Sequence, residues 1–357
     1  LSKIKPFKFL LFFFDYMKKT FLYGPYNIKI EESPEPKILE DEDAIIKIVA
    51  TCICGSDLWA YRGIDPISEP IPMGHEYVGI VLEVGKGVKK IKPGQFVVGS
   101  FFASDNTCEI CRAGYHSGCI RRVFMGDIGM QAEYARVPLA DGTLVPTPDI
   151  PPDHLIPSLL TASDVLGTAW FAAIAADVRP GKWVAVVGDG AVGLLAVLSA
   201  KIMGAERIIL MGSRNPKRQE LAREFGATDI IQERGDEAVE VVKEITHGLG
   251  VHSAIEAVGT QTALMMALRV TRPGGHIGVV GVLHDVKIPG DEFFFSLVHM
   301  HGGPAPVRRF LPDLIELILD RKIDPGKVFD IVLPLDKVAE GYKAMHERKA
   351  IKVLLKP

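Results

Sequence analysis

Trp183-Val184-Ala185-Val186-Val187 runs directly into Gly188-Asp189-Gly190-Ala191-Val192-Gly193, and the reading of this stretch decides the fold. The first five residues are apolar throughout, which suits a strand buried on both faces. Glycine at 188 permits a tight turn, glycine at 190 lets backbone approach a pyrophosphate, and glycine at 193 lets a helix pack on the strand. The helix expected over 191–203 would turn its free N–H groups and positive dipole end, with Ala191 and Val192 in its first turn, towards those phosphates. A GxGxxG alone is weak, because glycine turns are common; the strand before it and the helix after it make this one a dinucleotide-binding turn.

Working outward, the downstream chain alternates. The segment 207–211 (RIILM) is strand-like, and 216–225 (PKRQELAREF) is an amphipathic helix with proline in its first turn. Segments 228–231, 236–246, 253–257, 261–271 and 276–282 continue the series, which predicts an α/β fold with a parallel, doubly wound (Rossmann) sheet. A helix over 309–321 and short strands over 330–333 and 351–355 finish the chain. Upstream, from residue 21 to about 145, the pattern is β-rich, with 44–50 (AIIKIVA), 77–84 (YVGIVLEV) and 95–98 broken by glycine, proline and aspartate. The prolines at 146, 148, 151, 152 and 157 read as a linker or surface crossing.

At 357 residues the chain suits two domains better than one core. The expected division is 17–160 for a β-rich domain, 161–303 for the nucleotide domain, and 304–357 for a return to the first. Hydrophobic residues at 48% and charged residues at 24% are those of a globular protein. The formal charge of −3 offers no general attraction to nucleic acid or anionic membrane, and no apolar run approaches the length of a membrane span. Residues 1–16 hold a basic start and the apolar run 9–14, but Asp15 follows and no small-x-small cleavage site appears. Met17 is read as the native start and 1–16 as an upstream, non-native extension. A cytoplasmic setting is expected.

The end of the second nucleotide-domain strand bears on the cofactor. NAD sites place a carboxylate there for the ribose 2′-OH. This chain has Gly212-Ser213-Arg214, with Lys217 and Arg218 close by. A carboxylate would repel a 2′-phosphate, whereas a hydroxyl and a guanidinium would bind it. NADP(H) is therefore expected ahead of NAD(H), through Ser213 and Arg214; Lys217 and Arg218 read equally well as a solvated basic loop.

Five cysteines argue against a simple disulfide framework. Cys52 reads as a small buried residue. Cys54-Gly55-Ser56-Asp57 follows the strand over 44–50, Gly74-His75-Glu76 precedes the next, and Asp164 opens the nucleotide half. Cysteine, histidine and carboxylate are competent zinc ligands, and three of them leave a position for water or substrate. Spacing alone does not select these three, and Asp164 reads as well as a helix N-cap. Cys108, Cys111 and Cys119 suit a second metal site, with a redox pair or idle thiols as the rivals.

These motifs in this order resemble the zinc-containing medium-chain alcohol dehydrogenases. The similarity runs from about Met17 to the C-terminus: CGSD (54–57), GHExxG (74–79), a cysteine-rich lobe, GDGAVG (188–193) and AIKVLL (350–355). It implies a GroES-like N-terminal catalytic domain and a catalytic zinc on Cys54, His75 and Asp164. It also implies Glu76 beside the metal, Asp57 hydrogen-bonded to the zinc-binding imidazole, and Ser56 passing a proton at the substrate oxygen. Lys352 matches a basic position near the cofactor pyrophosphate or nicotinamide ribose, though it reads equally as a surface lysine. The lobe implies a structural zinc on Cys108, Cys111 and Cys119, with Asp105 where relatives commonly have a fourth cysteine; His116 is the alternative fourth ligand. Trp59 stands where many relatives have a relay histidine and reads as an apolar pocket wall, with Trp170 either a second wall or core. The remaining histidines carry no motif.

The expected activity is zinc-dependent, NADP(H)-linked interconversion of a small-molecule alcohol and its carbonyl form, in a homodimer or homotetramer. An NAD-dependent polyol or formaldehyde-type dehydrogenase and a non-catalytic dinucleotide-binding relative are the competing readings. A zinc-ribbon nucleic-acid module would need a basic face that 108–119 lacks.

Overall fold

The computed structural model describes residues 16–357. Apart from Tyr16, which opens the first strand, the extension expected over 1–16 lies outside the described residues.

The nucleotide half is a six-stranded, wholly parallel sheet. In space its strands run Asp229–Ile231, Arg207–Met211, Trp183–Val187, Val251–Glu256, Thr271–Val279, His299–Gly302. That is the doubly wound order 3-2-1-4-5-6, and it reverses direction between Trp183–Val187 and Val251–Glu256. Ala191–Ile202, Pro216–Phe225, Asp236–Ile245 and Gln261–Val270 are the intervening helices. Val184, Ala185, Val186 and Val187 are all buried, because helices cover both faces of a parallel sheet. Trp170 packs partly buried against the main hydrophobic core, which decides it as a core residue.

The β-rich half is built on the strand Ala44–Cys52. It pairs antiparallel with Tyr77–Val84, with Tyr134–Val137 and with the C-terminal strand Lys352–Lys356. The last residues of the chain therefore return across the nucleotide half and complete the first sheet.

Three boundaries differ from expectation. The proline-rich patch is not simply a crossing: Leu144–Pro146 is a strand paired with Phe96–Gly99, and Ile156–Ala162 is a helix with Pro157 in its first turn, where the missing N–H costs nothing. The strand expected over 276–282 begins at Thr271 and stops at Val279; the N–H groups of Val280 and Gly281 donate to Glu256 O instead. The helix expected over 309–321 spans Val307–Leu319. No single helix among the described residues is long and apolar enough to cross a membrane.

Candidate active site and metal centres

Strand pairing brings the distant ligand candidates together. Ala44–Cys52 and Tyr77–Val84 are antiparallel neighbours with Thr51 opposite Tyr77, so the end of one lies beside the start of the other. Cys54, just past the first strand, and His75, just before the second, consequently share one edge. The break between the helices Ile156–Ala162 and Val165–Ala175 is pinned to the same edge. Ser163 Oγ accepts from Tyr77 N at 3.0 Å and donates to Gly99 O at 2.8 Å. Asp164 follows and occupies an N-cap position, but its side chain does not cap the helix. One carboxylate oxygen accepts from Thr168 Oγ1 at 2.6 Å. The other lies 3.1 Å from His75 Nε2 and 3.8 Å from Cys54 Sγ.

Potential ligand atoms of Cys54, His75, Glu76 and Asp164 all lie within 4.8 Å of one another, and all four residues are buried. The donor set suits zinc: a thiolate, an imidazole and a carboxylate. Burial pushes the His75 imidazole towards the neutral form, but Asp57, Cys54 and Asp164 outweigh it and hold the imidazole well above its ordinary range. Burial lifts the Asp164 carboxyl, and His75 and Thr168 bring it below its ordinary value. Asp57 Oδ1 lies 3.4 Å from His75 Nδ1, while Oδ2 accepts from Cys54 N at 2.9 Å. Tyr342, from the last helix Val338–His346, reaches Asp57 Oδ2 at 3.4 Å.

Lys352 is not a surface lysine. It is 1% exposed, and its Nζ donates to Glu76 Oε1 at 2.6 Å and to Ile53 O at 3.1 Å. Burial alone would neutralise it, but Cys52 and Glu76 keep it protonated. Glu76 Oε2 has no partner among the described residues, leaving an acceptor in the metal cluster unused.

A cavity of about 1080 Å³ runs from this cluster to the glycine turn. Gly188 has φ +111°, where a side chain would be strained. A Cβ on Gly193 would meet Gly188 O at 2.0 Å, so only glycine allows the helix to start so close to the strand. Gly190 occupies the N-cap of Ala191–Ile202 and supplies no side-chain cap, so the first N–H groups remain for a ligand, as a pyrophosphate requires.

The adenosine end departs from the sequence reading. Ser213 is fully buried and its Oγ donates to Asp189 Oδ2 at 3.1 Å. Arg214 is outside the cavity lining, and its Nε donates to Gln232 O at 3.0 Å. The guanidinium facing Gly212 in the lining is that of Arg234, 3.3 Å from Gly212 O through Nη2. Arg218 is no solvated loop residue either: it is 4% exposed and donates to Asp189 O and Ala350 O. Arg348 Nη2 pairs with Asp189 Oδ1 at 2.7 Å. Lys217 is exposed, as a solvated residue would be. Arg62, Arg234, Arg348 and His346 line the cavity, yet none stands in a motif; proximity arises only through folding.

In the lobe, potential ligand atoms of Asp105, Cys108, Cys111 and Cys119 also lie within 4.8 Å of one another. Cys108 Sγ is 3.5 Å from Cys111 Sγ and 4.0 Å from Cys119 Sγ. Four bonds of about 2.3 Å to a tetrahedral zinc place sulfurs about 3.8 Å apart, so the spacing fits. Asp105 Oδ1 lies 3.4 Å from Cys119 Sγ and 3.7 Å from Cys111 Sγ. His116 is outside this set; its Nδ1 is buried without a hydrogen-bond partner among the described residues. Backbone N–H groups of Ile120 and Cys111 pull the Cys108 thiol down to about 7, which favours the thiolate a metal needs.

A GroES-like sheet joined to a doubly wound nucleotide sheet, with a Cys-His-Asp cluster on their shared cavity, defines the class of zinc-binding dehydrogenases. The family models agree: residues 40–149 match the alcohol dehydrogenase GroES-like domain and residues 191–317 the zinc-binding dehydrogenase domain. Zinc-type alcohol dehydrogenase B of Aspergillus flavus is 35% identical over 352 residues, covering 95% of this chain and 81% of that protein. The NADP-dependent isopropanol dehydrogenase of Thermoanaerobacter brockii is 32% identical, over 88% of this chain and 92% of its own. Among solved structures, the alcohol dehydrogenase of Thermus sp. ATN1 superposes with a TM-score of 0.86 at 32% identity, covering 95% and 99% of the two chains. The chain belongs to the zinc-type medium-chain alcohol dehydrogenase family. It is an oxidoreductase of that family, whose chemistry uses Zn²⁺ and a nicotinamide cofactor.

Proposed function

We propose that this protein interconverts an alcohol and its aldehyde or ketone by hydride transfer with NADP(H), using a zinc ion held by Cys54, His75 and Asp164. One observation carries the proposal: three zinc-competent side chains and the glycine turn lie along one cavity. When bound, zinc supplies Lewis-acid polarisation of the substrate oxygen, easing proton loss from an alcohol or charge build-up on a carbonyl.

The chain's own residues do the rest. Asp57 beside His75 Nδ1 fixes the imidazole tautomer that leaves Nε2 as the ligand atom. Ser56 lines the cavity, and although it stands at a helix N-cap its hydroxyl does not cap the helix; it gives or takes the proton at the substrate oxygen. Trp59 cannot carry that proton further, since indole only donates. The first turn of Ala191–Ile202 binds the pyrophosphate through its free N–H groups. Lys352 holds Glu76 at the edge of the metal cluster. In the lobe, Asp105, Cys108, Cys111 and Cys119 hold a structural zinc.

The preference for NADP(H) rests on charge. The acidic side chain at the adenosine end of the cavity is Asp189, and Ser213, Arg218 and Arg348 already occupy it. With Arg234 over Gly212, the local balance is positive and favours a 2′-phosphate over a bare hydroxyl. The test is NADPH-linked carbonyl reduction before and after chelation, with zinc restored afterwards. Loss on chelation and recovery with zinc are expected; activity that survives complete demetallation overturns the proposal.

A further inference from the structure

The mechanism above leaves one buried acid without a task. Glu256 is 0% exposed and ends the strand Val251–Glu256, with Val187 as its register partner on one side and Val279 on the other. It therefore stands at the point where the strand order reverses, and a ligand of a doubly wound sheet sits outside the strand ends there. Glu256 itself does not line the cavity, whereas Ala257, Val258, Val280, Gly281 and Val282 do.

Glu256 holds these lining residues from beneath. Its Oε1 accepts from Val258 N at 2.8 Å and from Gly259 N at 2.7 Å. Its backbone O accepts from Val280 N at 2.9 Å and from Gly281 N at 3.2 Å. One residue thus ties the loop after its own strand to the loop after the next. The two loops also interlock. A Cβ on Gly281 would meet Gly259 N at 2.2 Å and Glu256 Oε2 at 2.5 Å, and one on Gly259 would meet Val282 O at 2.0 Å. Val258 Cγ2 would lie 2.6 Å from a Cβ on Gly188, so the assembly abuts the glycine turn. On its other side Gly259 O accepts from His284 N at 3.2 Å, and His284 stacks on Trp59 with ring centroids 3.8 Å apart. Trp59 lines the cavity from the catalytic half.

The second carboxyl oxygen, Oε2, is buried and has no hydrogen-bond partner among the described residues. Burial lifts the Glu256 carboxyl above its ordinary range, against the pull of the Gly259 and Val258 N–H groups. A carboxyl moved towards its neutral form leaves an oxygen unpaired at lower cost, and its carbonyl oxygen still accepts both N–H groups.

A dinucleotide with its pyrophosphate at Gly188–Gly193 and its adenosine over the end of Arg207–Met211 spans the reversal. The half that continues to the metal cluster passes the loops that Glu256 holds. We infer that Glu256 is a positioning residue for the nicotinamide half of the dinucleotide, acting through Val258–Gly259 and Val280–Val282, and that the adenosine half is held independently of it. The inference rests on the proposed dehydrogenase activity and adds a residue to it.

Calorimetric titration of the zinc-replete protein with NADPH, and with 2′,5′-ADP, which lacks the nicotinamide half, tests this; NADH and 5′-ADP form the matching pair. Glu256→Ala leaves two buried N–H groups unpaired and should weaken the dinucleotide by about 10–100-fold, with the adenosine fragment unchanged. Glu256→Gln should recover most of the loss, since its amide oxygen accepts the same two N–H groups. If the alanine variant does not fold, Glu256→Asp, whose carboxyl stops one methylene short of Val258 and Gly259, should show the same split. A loss shared equally by dinucleotide and fragment, no loss of either, or a glutamine variant no better than alanine overturns the positioning role and leaves the dehydrogenase standing. Binding of neither NADPH nor NADH to the wild type overturns the dehydrogenase proposal and this inference with it.

Discussion

Asp164 Oδ2 lies 3.1 Å from His75 Nε2, although 89 residues separate them in the chain. The carboxylate stands at a helix N-cap position and yet leaves the helix N–H groups uncapped. A capping aspartate accepts from the backbone N–H groups of its own helix; here one oxygen takes the Thr168 hydroxyl instead, and the other enters the Cys54–His75 cluster. That orientation supports the proposed ligand role of Asp164 and sets the first expectation.

Asp164→Ala should lose the catalytic metal and lower kcat/KM by at least about 100-fold, the upper end of what losing an outer partner of a metal site costs. Asp164→Cys, which restores a zinc-binding atom, should retain metal. Zinc content by elemental analysis and kcat/KM on both variants check this; an alanine variant that keeps its full metal complement and rate sinks the assignment.

Lys352 and Glu76 are a fully buried ion pair. Replacing Lys352 with Met leaves Glu76 uncompensated and should destabilise the fold by about 3–5 kcal/mol. The double variant Lys352→Met with Glu76→Gln should recover a large part of that loss. Urea unfolding of the wild type, Lys352→Met, Glu76→Gln and the double variant measures the coupling, and additive effects would show that the two side chains do not act as a pair.

Arg234, not Arg214, lines the adenosine end of the cavity. Calorimetric binding of 2′,5′-ADP and 5′-ADP separates the two residues without turnover. Arg234→Ala should weaken 2′,5′-ADP by about 10–100-fold, the worth of a charged hydrogen bond, and leave 5′-ADP less affected. Arg214→Ala should change the ratio little. If Arg214→Ala alone abolishes the preference, the cofactor argument returns to the residues of the sequence reading.

The lobe predicts a separable metal. Asp105→Ala and Cys108→Ser should each lower zinc content by one ion per chain and reduce the thermal midpoint, while the catalytic ion stays. Unchanged stoichiometry and midpoint in the Asp105 variant would show that the three cysteines need no carboxylate.

Arg207 grips Asp229 with two bonds of 2.7 Å between neighbouring strands. The hydrogen bond from Arg207 holds the Asp229 carboxyl below its ordinary range. A folded-state pKa below the unfolded one means that the stabilisation is present above the unfolded value, near 3.9, and is lost as pH falls through the folded one. Asp229→Asn should therefore lower stability at neutral pH and flatten its dependence on pH in the acid range. Equal acid sensitivity of variant and wild type in thermal scans would remove this pair from the account.

By itself the sequence determined whatever depends on local order. The apolar run into GDGAVG, the alternation that follows it and the proline at the head of Pro216–Phe225 are short-range signals, and the elements fall within a few residues of the expected positions. Cys54 and His75 were legible only through the family resemblance of CGSD and GHExxG, since spacing alone does not select them, and the lobe cysteines through their CxxC spacing. Tertiary structure alone decided which side chains share the cavity. The antiparallel register of Ala44–Cys52 with Tyr77–Val84 puts Cys54 beside His75, Ser163 swings Asp164 towards them, and the returning strand Lys352–Lys356 buries a lysine that the sequence left open between a cofactor-side position and the surface. The same is true of Arg234 over Gly212. Periodicity reports which face a residue occupies along its own element. Which residues of other elements it meets depends on strand pairing and chain crossings, and local spacing carries no record of those.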